Sequence, residues 1–274
     1  MTVTSTEEPI TVRSGDGVAI TCWRTGAGPP LVLLHGTGED HRRWSRVAAR
    51  LAEDFTVYAV DRRGRGGSGD ADTYSLAAEV ADVVAVVRRI GGSVVLIGHS
   101  YGALCALEAA VALPGLVRMV LYDPPVPVAS TPGTADLATR IRNVVADGDE
   151  QEALCLFLTD MVGIPRQQVD LLRRIPGFGD RTALSRTLAR EIEATRRYVF
   201  TAGRFRGVRT PVLLLAGERS APDLRDAGVM LDAALPDSRV EILPGQGHQA
   251  IDTGPGVFLD AVRRFLLAPG VRPS

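Results

Sequence analysis

The chain has 274 residues, 45% of them apolar and 23% charged, with a formal net charge of −1. That is the profile of a globular protein with a sizeable core and no net field to gather nucleic acid or an anionic membrane surface. It contains no lysine, all 31 basic residues being arginine, which excludes a lysine Schiff base, a pyridoxal phosphate anchor and a P-loop lysine.

The start, MTVTSTEEPI, carries acids and no apolar signal-peptide core, and no later run is long enough to span a bilayer, so the expected location is the cytoplasm. Residues 10–23, ITVRSGDGVAITCW, are two alternating runs split by Gly-Asp-Gly, which predicts a β-hairpin. Short apolar runs then appear at Leu31 to Leu34, Val57 to Val60, Val94 to Ile97, Met119 to Tyr122, Val212 to Ala216 and Val240 to Leu243. Continuous apolar runs suit strands covered on both faces. Between them helical patterns are predicted near 40–52, 75–90, 101–112, 223–235 and 255–267.

This alternation predicts an α/β fold, a mostly parallel eight-stranded sheet flanked by helices. Between Pro124 and Val208 the strand rhythm stops, and DLATRIRNVV, EALCLFLTDMVG and LSRTLAREIEATRRYVF carry helical spacing. The expected organisation is a core domain of 1–123 and 208–274 and a helical cap of 124–207 inserted after the sixth strand. The flanks DPPVPVASTPGT and RFRGVRTP have the composition of linkers. Such a cap would roof the crevice at the carboxyl ends of the strands, where open α/β sheets bind ligands.

The most specific motif is VVLIGHSYGALCAL, in which Gly98-His99-Ser100-Tyr101-Gly102 fits G-x-S-x-G between a predicted strand and a predicted helix. Serine on so tight a turn is presented at a helix N-terminus, where backbone N–H groups stabilise an oxyanion. His248 is the only histidine in the C-terminal part of the chain and stands in a glycine-rich loop after a predicted strand, placed to take the serine proton.

On these motifs, together with LVLLHGTGEDHRRW, VYAVDRRGRGGSG and LPGQGHQA, the chain resembles the α/β-hydrolase fold superfamily over nearly its whole length. The resemblance implies a nucleophile at Ser100, a base at His248 and oxyanion donors at the backbone N–H groups of Thr37 and Tyr101. It also implies structural hydrogen bonds for His35 and His99. His41 is expected at a solvated helix start.

The acid is less plain. The commoner arrangement of the family puts it after the seventh strand, at position 220, where this chain has Ser220. Glu218 and Asp223 flank that place, and both read as loop or helix-start charges. The other arrangement, after the sixth strand, is met by Asp123, pinned by Pro124 and Pro125 on the rim that carries Ser100 and His248. Asp123 is the favoured acid, with Glu218 and Asp223 as alternatives and a Ser-His dyad if all three fail.

Two further patterns lead elsewhere. GRGGSG, Gly64 to Gly69, fits G-x-G-x-x-G, but no helix follows directly and no acid lies where a ribose would need it. DRRGRGG lacks the interleaved aromatics of an RNA contact and is expected to be a solvated or salt-bridged loop.

Cys22, Cys105 and Cys155 are scattered and odd in number, and His35, His41, His99 and His248 form neither an HExxH pair nor a cluster with them. Reduced thiols and no metal are therefore expected. The leading reading is a cofactor-free serine hydrolase of an ester, lactone or thioester. Trp44, Phe157, Met161 and Tyr198 are expected to line an apolar substrate pocket, and the partner is a small hydrophobic acyl compound, with neither nucleic acid nor membrane. The alternatives are a cofactor-free perhydrolase resembling the haloperoxidases, and a ligand-binding or ring-forming protein on the same fold.

Overall fold

A computed structural model describes residues 7–126, 134–175 and 178–268. The described residues fall into two compact units. The first takes in the described residues of 7–36, 40–126 and 200–268, and the second those of 37–39, 134–175 and 178–199.

The first unit is built on strands β1 (Glu8–Arg13), β2 (Ala19–Thr25), β3 (Pro30–Leu34), β4 (Thr56–Val60), β5 (Val95–His99), β6 (Arg118–Tyr122), β7 (Val212–Gly217) and β8 (Ser238–Leu243). They form one eight-stranded sheet in the order β1-β2-β4-β3-β5-β6-β7-β8. The predicted hairpin is β1 and β2, antiparallel with Ile10 opposite Cys22; β2 meets β4 antiparallel, and every other pairing is parallel. Strands β5, β6 and β7 are buried along their whole length, as their apolar runs require, whereas edge strand β8 buries only Leu243 fully.

Helices α1 (Ala48–Leu51), α2 (Leu76–Ile90), α3 (Tyr101–Ala110), α8 (Pro222–Asp232), α9 (Ala250–Thr253) and α10 (Pro255–Leu266) belong to this unit. Over one part of the sheet, Leu33, Val57, Ile97, Tyr122 and Leu215 share a core with Trp44, Phe258 and Phe265. The single helix expected at 40–52 is instead a 3-10 turn, His41–Trp44, followed by the short α1. Asp40 sets that break, because its side chain accepts from the Arg42 N–H at 2.9 Å and caps the turn.

Chain direction reverses about β3: the next strand lies on one side of it and β5 on the other. This topological switch leaves open the carboxyl ends of β3 and β5, where His35-Gly36 and Ser100 stand.

The run DRRGRGG, expected to be solvated or salt-bridged, is salt-bridged and buried. Arg62 meets Glu79 at 3.0 Å, and Arg63 meets Asp82 at 2.6 Å and Asp16 at 3.0 Å. Two acids spaced three apart on α2, Glu79 and Asp82, face this loop and let three arginines be buried without stranding their charge. Cys22, Cys105 and Cys155 are buried, and none is in a disulfide.

The second unit contains α4 (Thr134–Ala146), α5 (Glu150–Leu156), a π-helical turn at Phe157–Met161, α6 (Arg166–Leu172), a 3-10 stretch at Gly179–Thr187 and α7 (Leu188–Arg197). Pairs four apart, Leu137 with Ile141 and Leu188 with Ile192, supply apolar stripes to a core that also holds Leu154, Phe157 and Val169. Outside it, Arg166 of α6 ties that helix to α5 through Glu152 at 2.7 Å and bonds Asp170 on its own helix at 3.2 Å. The unit is shorter than the expected 124–207, since Phe200 to Gly207 group with the sheet; Phe205 is fully buried there and stacks on Phe200 at 5.4 Å. The linker expected in DPPVPVASTPGT lies largely outside the described residues. Among the described residues, no helix is long and apolar enough to cross a membrane.

Candidate active site

Ser100 is the N-cap of α3, with φ 53° and ψ −124°. Its N–H donates to the Tyr122 carbonyl at 2.9 Å, so the strained residue is fastened to the end of β6. The neighbouring glycines are needed for space: a Cβ on Gly98 would lie 2.5 Å from Ala103 Cα, and one on Gly102 would lie 2.5 Å from the His35 carbonyl oxygen. Among the described residues, two that are not glycine have positive φ, Ser100 and Asp123 at 46°. Strain of this kind costs on the order of 1–3 kcal/mol per residue and gathers at functional sites.

Asp123 follows β6 directly, its N–H donating to the Leu215 carbonyl at 2.9 Å. The carboxylate is fully buried, and His248 Nδ1 lies 3.0 Å from Oδ2. A carboxylate only accepts, so Nδ1 is the donor of this bond. Glu218 and Asp223 go elsewhere. Glu218 is exposed and accepts from the Gly245 N–H at 2.6 Å, and Asp223 is exposed in the first turn of α8.

The loop carrying His248 is held by two side chains from neighbouring strands. His99 Nε2 donates to the His248 carbonyl at 2.9 Å, and the two imidazoles lie 4.7 Å apart, centre to centre. The Tyr122 hydroxyl donates to the Gly247 carbonyl and accepts from the Ala250 N–H at 3.1 Å. Burial pushes this phenol well above its usual range, so it stays protonated and can donate.

Behind the α3 N-terminus lies a buried cation. Arg62 donates to the Gly36 carbonyl at 3.1 Å and stands 4.9 Å over the ring of Tyr101. His35 Nδ1 donates to the same carbonyl at 2.8 Å, while its Nε2 accepts the Arg62 N–H at 3.1 Å, the structural bonds expected of His35. With the Gly36–Thr37 peptide trans, the Thr37 N–H points opposite to this doubly held carbonyl. The N–H of Tyr101 is one of the first-turn amides of α3, which lack acceptors within the helix.

The residues expected around an apolar pocket take different places. Trp44 is fully buried in the core of the sheet unit, 6.5 Å from Phe258. Phe157 belongs to the core of the helical unit, Met161 is 41% exposed and Tyr198 is half-buried. Trp44 is thus explained by packing alone.

A sequence profile of the alpha/beta hydrolase family matches residues 31–265. The chain belongs to that family. It is 28% identical over 249 residues to a 2-(acetamidomethylene)succinate hydrolase of Mesorhizobium japonicum, spanning 88% of this chain and 89% of the relative. It is 32% identical to a pimeloyl-[acyl-carrier protein] methyl ester esterase of Chromobacterium violaceum, over 81% and 88% of the two chains. The crystal structure of an alpha/beta hydrolase from Sphaerobacter thermophilus superposes with a TM-score of 0.78 at 30% identity, covering 92% of this chain and all of the other.

In this alpha/beta hydrolase the metal-ligating residue types also meet at a second place. Asp40, His41 and Asp61 bring ligand atoms within 4.8 Å of one another. The two carboxylates are already engaged: Asp61 accepts from His41 Nδ1 at 2.7 Å, Trp23 Nε1 at 2.8 Å and the Gly67 N–H at 2.9 Å, and Asp40 is held by the Arg42 guanidinium at 2.7 Å. The hydrogen bonding here is that of a structural carboxylate. His41, expected at a solvated helix start, is instead stacked on Trp23 at 4.5 Å, with its side chain 16% exposed.

Two contributors escaped the reading of the sequence. Ser220 donates to Asp123 Oδ2 at 2.6 Å, and Tyr122 anchors the histidine loop. Tyr122 ends β6 and Ser220 stands three residues past β7, and only the sheet order brings each to its partner.

Proposed function

We propose that this hydrolase is a cofactor-free serine enzyme that cleaves an ester, lactone or thioester of a medium-sized hydrophobic substrate through an acyl-enzyme on Ser100. The observation that carries this reading is the His248–Asp123 pair: a fully buried carboxylate 3.0 Å from Nδ1, on the loop fastened to the residue that precedes Ser100. With Nδ1 protonated, Nε2 takes the Ser100 hydroxyl proton as Oγ bonds to the acyl carbon. The carbonyl π electrons move to oxygen, and the N–H groups of Tyr101 and Thr37 are the proposed donors to that oxyanion. Collapse breaks the bond to the leaving alcohol or thiol, which receives the proton from His248. Water, deprotonated by the same imidazole, then releases the acid and restores Ser100.

An ester carbonyl as substrate is supported by the methyl ester esterase among the relatives. The expected small-molecule partner and a cytoplasmic setting belong to the same reading. The test is labelling with a fluorophosphonate probe, the modified residue being located by mass spectrometry. Modification at Ser100, lost in Ser100→Ala with the circular dichroism spectrum retained, is the expected result. Labelling elsewhere, or parent-rate ester turnover by Ser100→Ala, would sink the proposal.

A further inference from the structure

We propose that Ser220 is a positioning residue that shares the Asp123 carboxylate oxygen with His248 and thereby sets the basicity of that imidazole. The inference rests on the serine-hydrolase reading for its consequence in catalysis, and on bonding geometry for everything else.

Ser220 follows β7 and is 5% exposed. Its N–H donates to the Gly217 carbonyl at 3.0 Å, and its hydroxyl donates to Asp123 Oδ2 at 2.6 Å. His248 Nδ1 donates to the same oxygen at 3.0 Å. Asp123 Oδ1 is buried and has no hydrogen-bond partner among the described residues. Both donors therefore converge on one oxygen of a carboxylate that has another to offer.

Two consequences follow. The hydroxyl fixes the rotation of the carboxylate, holding Oδ2 toward the imidazole. It also withdraws charge from the atom that stabilises the imidazolium: a hydrogen bond to the ionised form lowers the basicity of a carboxylate. A residue that only tied the β7 loop to β6 would stabilise the fold without touching the titration of His248.

The other groups facing His248 are Asp123 and Tyr122 from β6 and its end, and His99 from β5, with the Arg43 charge acting on the Tyr122 phenol. Substitution at position 220 alters the partners of the Asp123 carboxylate alone and leaves the contacts of Tyr122 and His99 in place.

The experiment is an NMR titration of the His248 ring in the whole resting protein, with His99 assigned alongside it. Ser220→Ala removes the donor, Ser220→Cys keeps a side chain of similar shape with a much weaker donor, and Ser220→Thr keeps the hydroxyl. The His248 pKa is expected to rise by about 0.5 unit or more in the Ala and Cys variants, because Oδ2 then serves the imidazole alone. The Thr variant should return to the parent value, and the acid limb of kcat/KM should move with the ring titration. Either Ala or Cys folded with an unshifted or lowered His248 pKa overturns the proposal. Because the ring is read at rest, a failure of fluorophosphonate labelling would remove the hydrolase reading and leave this measurement to decide the role of Ser220.

Discussion

His99 Nε2 donates to the carbonyl oxygen of His248 at 2.9 Å, so the residue before Ser100 grips the backbone of the residue proposed as its base. The bond joins the end of β5 to the loop after β8, strands that are three places apart in the sheet.

Loss of this grip should cost activity more than stability. His99→Ala is expected to lower kcat/KM on an activated ester about tenfold or more, since 1.4 kcal/mol of lost positioning corresponds to a factor of ten. His99→Gln, whose amide N–H ends near the position of Nε2, should retain most of the activity. Steady-state kinetics at pH 8 check both; equal losses in the two variants would show that the tilted ring contacts of His99, and not the hydrogen bond, matter.

The three carboxylates near the site should separate cleanly. Asp123→Asn keeps the shape of the group but presents an amide to Nδ1, favouring the wrong imidazole tautomer, and the equivalent change in a well-studied triad costs on the order of 10⁴ in kcat. Glu218→Gln and Asp223→Asn remove exposed charges and should leave turnover within about threefold of the parent, in keeping with the small worth of surface charges. A large loss confined to either of these two would move the acid to the β7 loop.

Asp61 should make stability depend on acid pH. Burial pushes its carboxyl up, but hydrogen bonds from His41, Gly67 and Trp23 outweigh that and hold it at about 2, below its ordinary 3.8. A pKa lower in the folded state than in the unfolded means that the unfolded chain takes up the proton first. The stabilisation is therefore complete above about pH 4 and is lost as pH falls through about 2; it is on the order of 2 kcal/mol. In urea unfolding monitored by circular dichroism, Asp61→Asn should be less stable than the parent at pH 7, and the gap should narrow toward pH 2. A gap independent of pH would assign the loss to packing around Trp23 instead.

The sequence by itself determined the alternation of strands and helices, the elbow at Ser100 and the histidine after the last strand, because each is written locally. Apolar runs make buried strands, and glycines at 98 and 102 are needed wherever a helix N-terminus closes on a strand. It also favoured Asp123 over Glu218 and Asp223 as the acid, from its place after the sixth strand. The pairing of Asp123 with His248 depends on the order of β5, β6, β7 and β8, which brings this carboxylate to an imidazole 125 residues away in the chain and leaves Glu218 and Asp223 in solvent. The same holds for the arginines after β4: the sequence left open whether their loop is solvated or salt-bridged, and only the fold brings Glu79, Asp82 and Asp16, 17 to 47 residues away, against them. Ser220 is the sharpest case. In the sequence it marks a missing carboxylate, and in the folded chain its hydroxyl donates to the carboxylate that β6 supplies, because parallel neighbours β6 and β7 bring their ends to the same rim.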